Sequence, residues 1–170
     1  GRMTEMISRM GIHFDCPVFT VAGTNGKGST CAMLESIFRS AGLRVGMHTS
    51  PHMLRFNERA WLLGREATDE ELCRVFEEVE EKRGDLILSY FEFTALGILK
   101  LFMDAKLDAV VLEIGLGGRL DAINSIDPTV SIVTTVGIDH TAFLGPDRES
   151  IGREKSFVYR AAPCHAAVCA

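Results

Sequence analysis

A glycine-rich segment between a short apolar run and a helical pattern constrains this chain more than any other feature. The run Val18–Ala22 is rich in β-branched residues and predicts a buried parallel strand. Residues 27–41 carry apolar side chains at helical spacing, and Gly42 is a typical stop signal. Between them, residues 23–30 read Gly-Thr-Asn-Gly-Lys-Gly-Ser-Thr. A strand, a glycine-rich turn and a helix in this order are typical of phosphate-binding loops.

The residue types in this loop suit a nucleoside triphosphate with magnesium. Glycines let successive backbone N–H groups converge on one anion, and the helix N-terminus adds positive potential. Lys27 can reach the β- and γ-phosphates, and the hydroxyl of Ser29 or Thr30 can bind magnesium. The predicted nucleotide contacts are Thr24, Asn25, Gly26, Lys27, Gly28, Ser29 and Thr30.

The generic pattern G-x-x-x-x-G-K-[ST] is not met strictly. Val21 stands where its first glycine would fall, and Gly28 separates Lys27 from Ser29. The alternative is an ordinary glycine-rich turn, which the flanking strand and helix disfavour.

Strands and helices alternate along the rest of the chain. Further strands are predicted at 43–48, 61–63, 108–114 and 128–136, and helices at 69–83, after a Thr68 capping box, and at 91–103. Alternation of this kind implies βαβ units and a parallel sheet covered on both faces. The predicted class is α/β, a P-loop-type three-layer sandwich with a mostly parallel sheet.

Three polar side chains follow predicted strands, and ligands bind beyond the carboxyl ends of parallel strands. Glu113 ends one strand and can hold magnesium opposite the phosphate loop, although a lone acid there is usually incidental. His140 and Ser50 follow two other strands; alone, each would be interpreted as structural. The loop 115–118, Gly-Leu-Gly-Gly, lets a ligand approach the backbone.

Composition excludes several classes of function. The net charge of -5 gives no general attraction to nucleic acid, and no apolar run reaches the length of a membrane span. The five cysteines are odd in number and form no CxxC pair, which predicts reduced thiols in a cytoplasmic protein. We expect a monomer that binds small molecules rather than nucleic acid or membranes.

Six motifs in order resemble the Mur ligase superfamily, in which a glycine after the lysine of the loop is usual. They cover about residues 19–155 and are similar to its folate branch, folylpolyglutamate synthase and bacterial bifunctional dihydrofolate synthase. The motifs are residues 20–30, Thr-Ser-Pro-His at 49–52, Tyr-Phe-Glu at 90–92, Glu-Ile-Gly-Leu-Gly-Gly-Arg-Leu-Asp-Ala at 113–122, Asp-His-Thr at 139–141, and Leu-Gly-Pro at 144–146 continued by Ser-Ile-Gly-Arg-Glu-Lys at 150–155.

The resemblance implies ATP-dependent amide formation. A pteroate or folate carboxylate would attack the γ-phosphate of ATP, and the amine of L-glutamate would displace phosphate from the acyl phosphate. It assigns catalytic roles to Lys27, His140 and Lys155, the last as a carbamylated lysine. It assigns two magnesium ions to Ser29, Ser50, Glu113 and His140, and folate contacts to Ser89, Tyr90, Phe91, Glu92, Leu120 and Asp121.

The resemblance ends at Lys155, after which the family continues with Ala-Gly-Ile and a further strand. Residues 161–170 are alanine-rich and have no clear period. We therefore expect residues 1–160 to be the Mur-ligase-type ATP-binding domain with part of its N-terminal segment missing, and 161–170 to be a divergent tail. The central ATPase fold would then be incomplete, the C-terminal ligase domain absent, and turnover by this chain alone poor.

Two other interpretations stay open. One is a cell-wall Mur ligase, against which the forms of residues 49–52 and 90–92 argue. The other is a protein that binds Mg-ATP without catalysis. The sequence does not distinguish dihydropteroate from reduced folates as the acceptor of glutamate.

Overall fold

A single sheet lies at the centre of the fold. The computed structural model describes residues 1–160 and 166–170. Within them, seven strands pair into one sheet: β1 Val18–Ala22, β2 Val45–His48, β3 Ala60–Leu62, β4 Arg65–Glu66, β5 Ala109–Glu113, β6 Val130–Val133 and β7 Ala166–Cys169. The strand order is β4-β3-β2-β5-β1-β6-β7. The neighbours β2-β5-β1-β6-β7 pair in parallel, and β3 and β4 extend the sheet beyond β2 in antiparallel pairing.

Helices cover both faces of this sheet. They are α1 Arg2–Met10, α2 Lys27–Ser40, α3 Asp69–Arg83, α4 Tyr90–Asp104, α5 Thr141–Leu144 and α6 Arg148–Ser156, with 3₁₀ turns at Phe56–Arg59 and Ile123–Ser125. On one face, Cys31 of α2 packs against Val21, Val111 and Met47 of the sheet. On the other face, α1, α3 and α4 enclose the larger apolar cluster. The predicted three-layer α/β sandwich is therefore confirmed.

Reciprocal side-chain caps begin α3 and α4, as they also begin α6. The Thr68 hydroxyl accepts the backbone N–H of Glu71, whose carboxylate accepts the N–H of Thr68, as predicted for α3. Ser89 and Glu92 make the same pair of bonds. As a consequence α4 begins at Tyr90, one residue before the predicted start.

The predicted strands at 43–48, 108–114 and 128–136 are too long. Arg44 and Asp108 lie just before β2 and β5, and the N–H of Arg44 donates to the Asp108 carboxylate over 2.7 Å. After β6, residues 134–137 leave the sheet to bond the phosphate loop. The strand predicted at 61–63 lies at Ala60–Leu62, because Leu63 turns with a φ of 55°.

Five of the described helices and strands escaped the sequence patterns: α1, α5, α6, β4 and β7. Helix α1 buries Met3, Met6 and Met10 at helical spacing, and α6 begins at an Asp147 cap. Strand β7, within the predicted tail, pairs in parallel with β6. Residues 161–165 of that tail lie outside the described residues. No helix in the part of the chain that the structure describes has the length and apolar character needed to cross a bilayer.

Candidate active site

The phosphate loop joins β1 to α2 and is fastened to the segment that follows β6. Gly23 has a φ of 148°, and a Cβ there would lie 1.9 Å from Oγ1 of Thr134. Oγ1 of Thr134 donates to the carbonyl of Asn25 over 2.6 Å, and the N–H of Asn25 donates to Oγ1 of Thr135 over 2.9 Å. The N–H of Gly137 donates to Oγ1 of Thr24. These bonds therefore hold the backbone of the loop in its observed shape.

Lys27 is the first residue of α2 and folds back over its own loop. Its Nζ donates to the carbonyl of Gly23 over 3.0 Å. Ser29 is exposed on the first turn of the same helix, next to Gly28. The ammonium and the hydroxyl thus stand at the positively polarised end of a helix, where an anion is stabilised.

Glu113 ends β5 beside the loop, as predicted. Its side chain is buried, Oε2 accepts the backbone N–H of Ser50 over 2.9 Å, and Oε1 lies 4.0 Å from the Cβ position of Gly28. Burial raises the pKa of Glu113, while the Ser50 N–H and the Lys27 charge oppose that rise. The structure thus brings Glu113, Ser50 and the start of α2 together.

His140 lies on the segment between β6 and α5. It precedes α5 with a φ of 47°, is exposed, and has Nε2 3.4 Å from the Asp139 carboxylate. Across the described residues, no three His, Cys, Asp or Glu side chains are grouped closely enough to hold a metal ion. A metal here would therefore depend on serine oxygens together with Glu113 and His140.

Lys155 is only 4% exposed, on α6. Burial lowers the pKa of Lys155, the nearby Lys27 lowers it further, and Asp139 opposes both. Its helix packs on the loop 115–118, since a Cβ on Gly118 would lie 2.5 Å from the carbonyl of Glu154. Gly118 therefore serves helix packing, whereas the sequence indicated only ligand access for this loop.

A cavity of about 460 Å³ collects most of the predicted folate residues. It is lined by Arg2, Ser89, Phe91, Glu92, Leu116, Gly117, Gly118, Arg119, Leu120, Asp121, Ala122, Phe143, Leu144 and Glu154. Tyr90 is not part of this lining, and its ring lies 6.5 Å from that of Phe56. Ser89 and Glu92 also cap α4, so part of their hydrogen-bonding capacity is already used.

Asp121 is held by the backbone around it. Its carboxylate accepts the N–H groups of Leu116 and Ile123, both over 2.9 Å. Burial raises the pKa of Asp121 to about 6, against the effect of these N–H donors. A carboxyl with this pKa changes charge near neutral pH.

A smaller cavity of about 230 Å³ lies between the group around Glu113 and the larger cavity. It is lined by Ser50, Pro51, Arg59, Phe91, Gly115, Leu116 and Asp121. Ser50 belongs to the group around Glu113, and Phe91 and Asp121 also line the larger cavity. The sequence patterns did not predict the roles of Arg59, Thr134 and Thr135. Arg59 could have been noticed because it follows the Thr-Ser-Pro-His motif by only a few residues.

The sequence matches the family described as Mur ligase middle domain over residues 21–169. This chain belongs to the Mur ligase family. One relative of this Mur ligase chain is the dihydrofolate synthase/folylpolyglutamate synthase of Escherichia coli (strain K12). The two are 51% identical over 160 residues, which are 94% of this chain and 38% of the relative.

Solved structures of Mur ligase relatives are also similar. E. coli FolC in complex with DHPP and ADP matches with a TM-score of 0.94 at 50% identity, covering 98% of this chain and 40% of FolC. A bifunctional folylpolyglutamate synthase/dihydrofolate synthase with Mn, AMPPNP and L-glutamate bound matches with a TM-score of 0.92 at 50% identity, covering 98% and 41%. The Mur ligase chain thus spans 38–41% of the length of these three proteins.

Proposed function

We propose that this chain binds Mg-ATP and a folate-class acid for the ligation of L-glutamate to dihydropteroate or a reduced folate. One observation carries the proposal: the small cavity joins Ser50, beside Glu113 and the phosphate loop, to Phe91 and Asp121 of the larger cavity. A phosphoryl donor and an aromatic acid bound there would meet. The name of the E. coli relative and the ADP and DHPP of E. coli FolC support the same reaction.

The nucleotide side rests on the phosphate loop. Backbone N–H groups of residues 24–30 and the Lys27 ammonium would hold the phosphates, because phosphoryl transfer depends on positioning and charge stabilisation. Lys27 would exchange its bond to the carbonyl of Gly23 for a phosphate oxygen.

The residues near Glu113 suit magnesium. Magnesium prefers oxygen ligands, and Glu113 is a buried carboxylate whose Oε1 faces Gly28. We assign Ser29, Ser50, Glu113 and His140 as ligands of two ions. Bound magnesium would neutralise charge on the phosphates and on the oxygen that leaves with ADP.

The acid would lie in the larger cavity against the ring of Phe91, a flat apolar surface suited to a heterocycle. Its carboxylate oxygen attacks the γ-phosphorus, an O–P bond forms, and the bond to ADP breaks. The glutamate nitrogen then attacks the acyl carbon and loses a proton to solvent as phosphate leaves. Asp121, fixed by two backbone N–H groups, would accept hydrogen bonds from the ring nitrogens of the heterocycle.

Lys155 would act as a carbamate. Its buried position and lowered pKa favour the neutral amine, which is the form that reacts with CO₂. A carbamate turns this cation into an anion, which removes the repulsion between Lys155 and Lys27 and would support the second metal.

The test measures binding and turnover separately on the purified chain. Calorimetry should show ATP binding that magnesium strengthens, and ATP cleavage should respond to dihydropteroate but not to a UDP-sugar peptide. Glutamate incorporation with dihydropteroate and with tetrahydrofolate identifies the acceptor. Absence of Mg-ATP binding would contradict the proposal.

A second candidate is Mg-ATP binding without turnover, for which the phosphate loop, Lys27 and Glu113 would suffice without the aromatic cavity. Binding without phosphate release would support it. The monomeric state and the cytoplasmic location stay predictions.

A further inference from the structure

Arg59 carries a buried positive charge at the junction of the two cavities. The residue is 9% exposed and follows the Thr-Ser-Pro-His motif within the same connection between β2 and β3. Its backbone carbonyl accepts Nδ1 of His48 over 2.8 Å and the N–H of Thr49 over 3.2 Å. The main chain at Arg59 is therefore bound to the end of β2.

The guanidinium is held in place from two further directions. Its Nε donates to Nδ1 of His52 over 2.7 Å, and its centre lies 5.7 Å from the ring of Phe56 and 6.0 Å from that of Tyr90. Nδ1 of His52 accepts this bond through a nitrogen lone pair, so the contact adds no negative charge beside Arg59. Within residues 1–160 and 166–170 the two terminal nitrogens donate no hydrogen bond, so their fork of donors is available to another partner.

Arg59 has no ion-pair partner among the described residues. Among the residues that the structure describes, no carboxylate oxygen lies within the 4.0 Å of an ion pair to Arg59. Asp121 lines the same small cavity but forms no ion pair with Arg59, and its carboxylate is oriented by the backbone N–H groups of Leu116 and Ile123. A guanidinium withdrawn from water without an anion is costly, so a ligand anion in this cavity would be stabilised.

The residues that line the small cavity indicate which ligand anion would bind there. The cavity is lined by Ser50, whose N–H bonds Glu113 on the phosphate side, and by Phe91 on the side of the aromatic cavity. An aromatic acid that lies against Phe91 and reacts with the γ-phosphate must place its carboxylate between the ring of Phe91 and the phosphate loop. Arg59 stands at that point and has the forked donors that match a carboxylate.

We propose that Arg59 binds the carboxylate of the acid substrate and orients it toward the γ-phosphate. The inference rests on the proposed function. Arg59 would contact both carboxylate oxygens until one of them attacks phosphorus, and would then contact the acyl oxygen. This is a specificity role, because it separates acids from otherwise identical neutral molecules.

The experiment pairs a change in the protein with a change in the ligand. Calorimetry would measure the dissociation constants of pteroic acid and of its carboxamide for the wild-type chain, Arg59→Met and Arg59→Lys. The matched control is Arg55→Met, which removes an arginine with a 65% exposed side chain from the same connection. Mg-ATP affinity and Tm are measured for every variant.

The wild-type chain should prefer the acid over the carboxamide by about 10- to 100-fold, the worth of a charge-assisted pair of hydrogen bonds. R59M should bring this ratio close to one and R59K should reduce it, while Mg-ATP affinity stays within about twofold. R55M should keep the wild-type ratio. A change in packing alone would weaken both ligands equally and leave the ratio unchanged.

An unchanged ratio in folded R59M overturns the assignment, and so does a loss of Mg-ATP affinity in place of acid affinity. If R59M does not fold, an unchanged ratio in R59K overturns it equally. A wild-type chain that binds neither Mg-ATP nor pteroic acid contradicts the proposed function itself, whereas binding of both with no effect at Arg59 contradicts only this inference.

Discussion

The backbone N–H of Ser50 donates to Oε2 of Glu113 over 2.9 Å and so ties the end of β2 to the end of β5. The two strands are parallel neighbours, with His48 opposite Leu112 one step earlier. One carboxylate oxygen is used by this bond, and the other faces Gly28. Glu113 is therefore oriented by its neighbouring strand toward the first turn of α2.

Glu113→Gln should weaken Mg-ATP binding by at least about tenfold and change ATP binding without metal by less than about twofold. Glutamine keeps an oxygen for the Ser50 N–H but loses the charge that magnesium needs. Because burial raises the pKa of Glu113, neutralising it should not lower Tm. Glu77→Gln, at an exposed position of α3, is the control. Equal Mg-ATP affinity in wild type and E113Q would remove Glu113 from the metal site.

Gly23→Ala should lower the free energy of unfolding by about 2 to 4 kcal/mol, since its φ of 148° is strained for alanine and the new Cβ would collide with Thr134. Urea denaturation measures this, and nucleotide affinity should fall with it. Gly152→Ala is the control, because its Cβ would meet Val136 at an ordinary 3.5 Å inside α6. G152A should be neutral or more stable by about 0.5 to 1 kcal/mol. Equal stability of G23A and wild type would show that the loop tolerates a side chain.

Asp121 should make stability depend on pH. Folding raises its pKa from 3.8 to about 6, so between these values the folded chain holds a proton that the unfolded chain releases. The stabilisation is present at low pH and is lost as the pH rises through about 6. Relative to Asp121→Asn, wild type should therefore gain about 2 kcal/mol on going from pH 7 to pH 4.

Urea denaturation at the two pH values checks this difference. Asp85→Asn, at an exposed position, serves as the control and should show no such change relative to wild type. A wild-type chain that loses stability relative to D121N on acidification would reverse the sign and refute the assignment.

Lys155 should carry a carbamate in the presence of bicarbonate. Its neutral amine nitrogen would form a bond to the carbon of CO₂ and release a proton. With ¹³C-bicarbonate, NMR should show one carbamate signal that Lys155→Arg abolishes and Lys106→Arg, on an exposed lysine, leaves in place. A signal that persists in K155R would assign the modification elsewhere.

The phosphate loop and Glu113 could be predicted from sequence because each depends on a local pattern at the end of a strand. The loop needs only a strand, glycines and a helix in order, and Glu113 needs only to end an apolar strand. Their proximity followed from a general property of parallel sheets, whose carboxyl ends lie on one edge.

The contacts of Thr134 and Thr135 with Asn25 could not be predicted in this way. They join residues 109 and 110 positions apart and depend on β6 lying beside β1. The burial of Arg59 could not be predicted for a similar reason. A charged residue in a connection is expected to be exposed, but Arg59 packs against the rings of Phe56 and Tyr90, which belong to different elements.

Two missed elements differ in their cause. The spacing of Met3, Met6 and Met10 already indicated a buried helical face, so α1 was predictable. Residues 166–169 have small side chains and no alternation, and they form a strand because β6 offers a free edge. The formation of β7 is therefore determined by its partner strand β6 rather than by the sequence of residues 166–169.

The close packing of Gly118 against Glu154 has a consequence for how binding is transmitted. Arg119 also pairs with Glu154 over 3.0 Å, so the loop that leads to Asp121 packs closely against α6 and is paired to it through a side chain. A molecule that shifts this loop must move α6 with it, and Lys155 is on that helix. Occupancy of the aromatic cavity and the chemical state of Lys155 would then be thermodynamically coupled, each altering the affinity of the other.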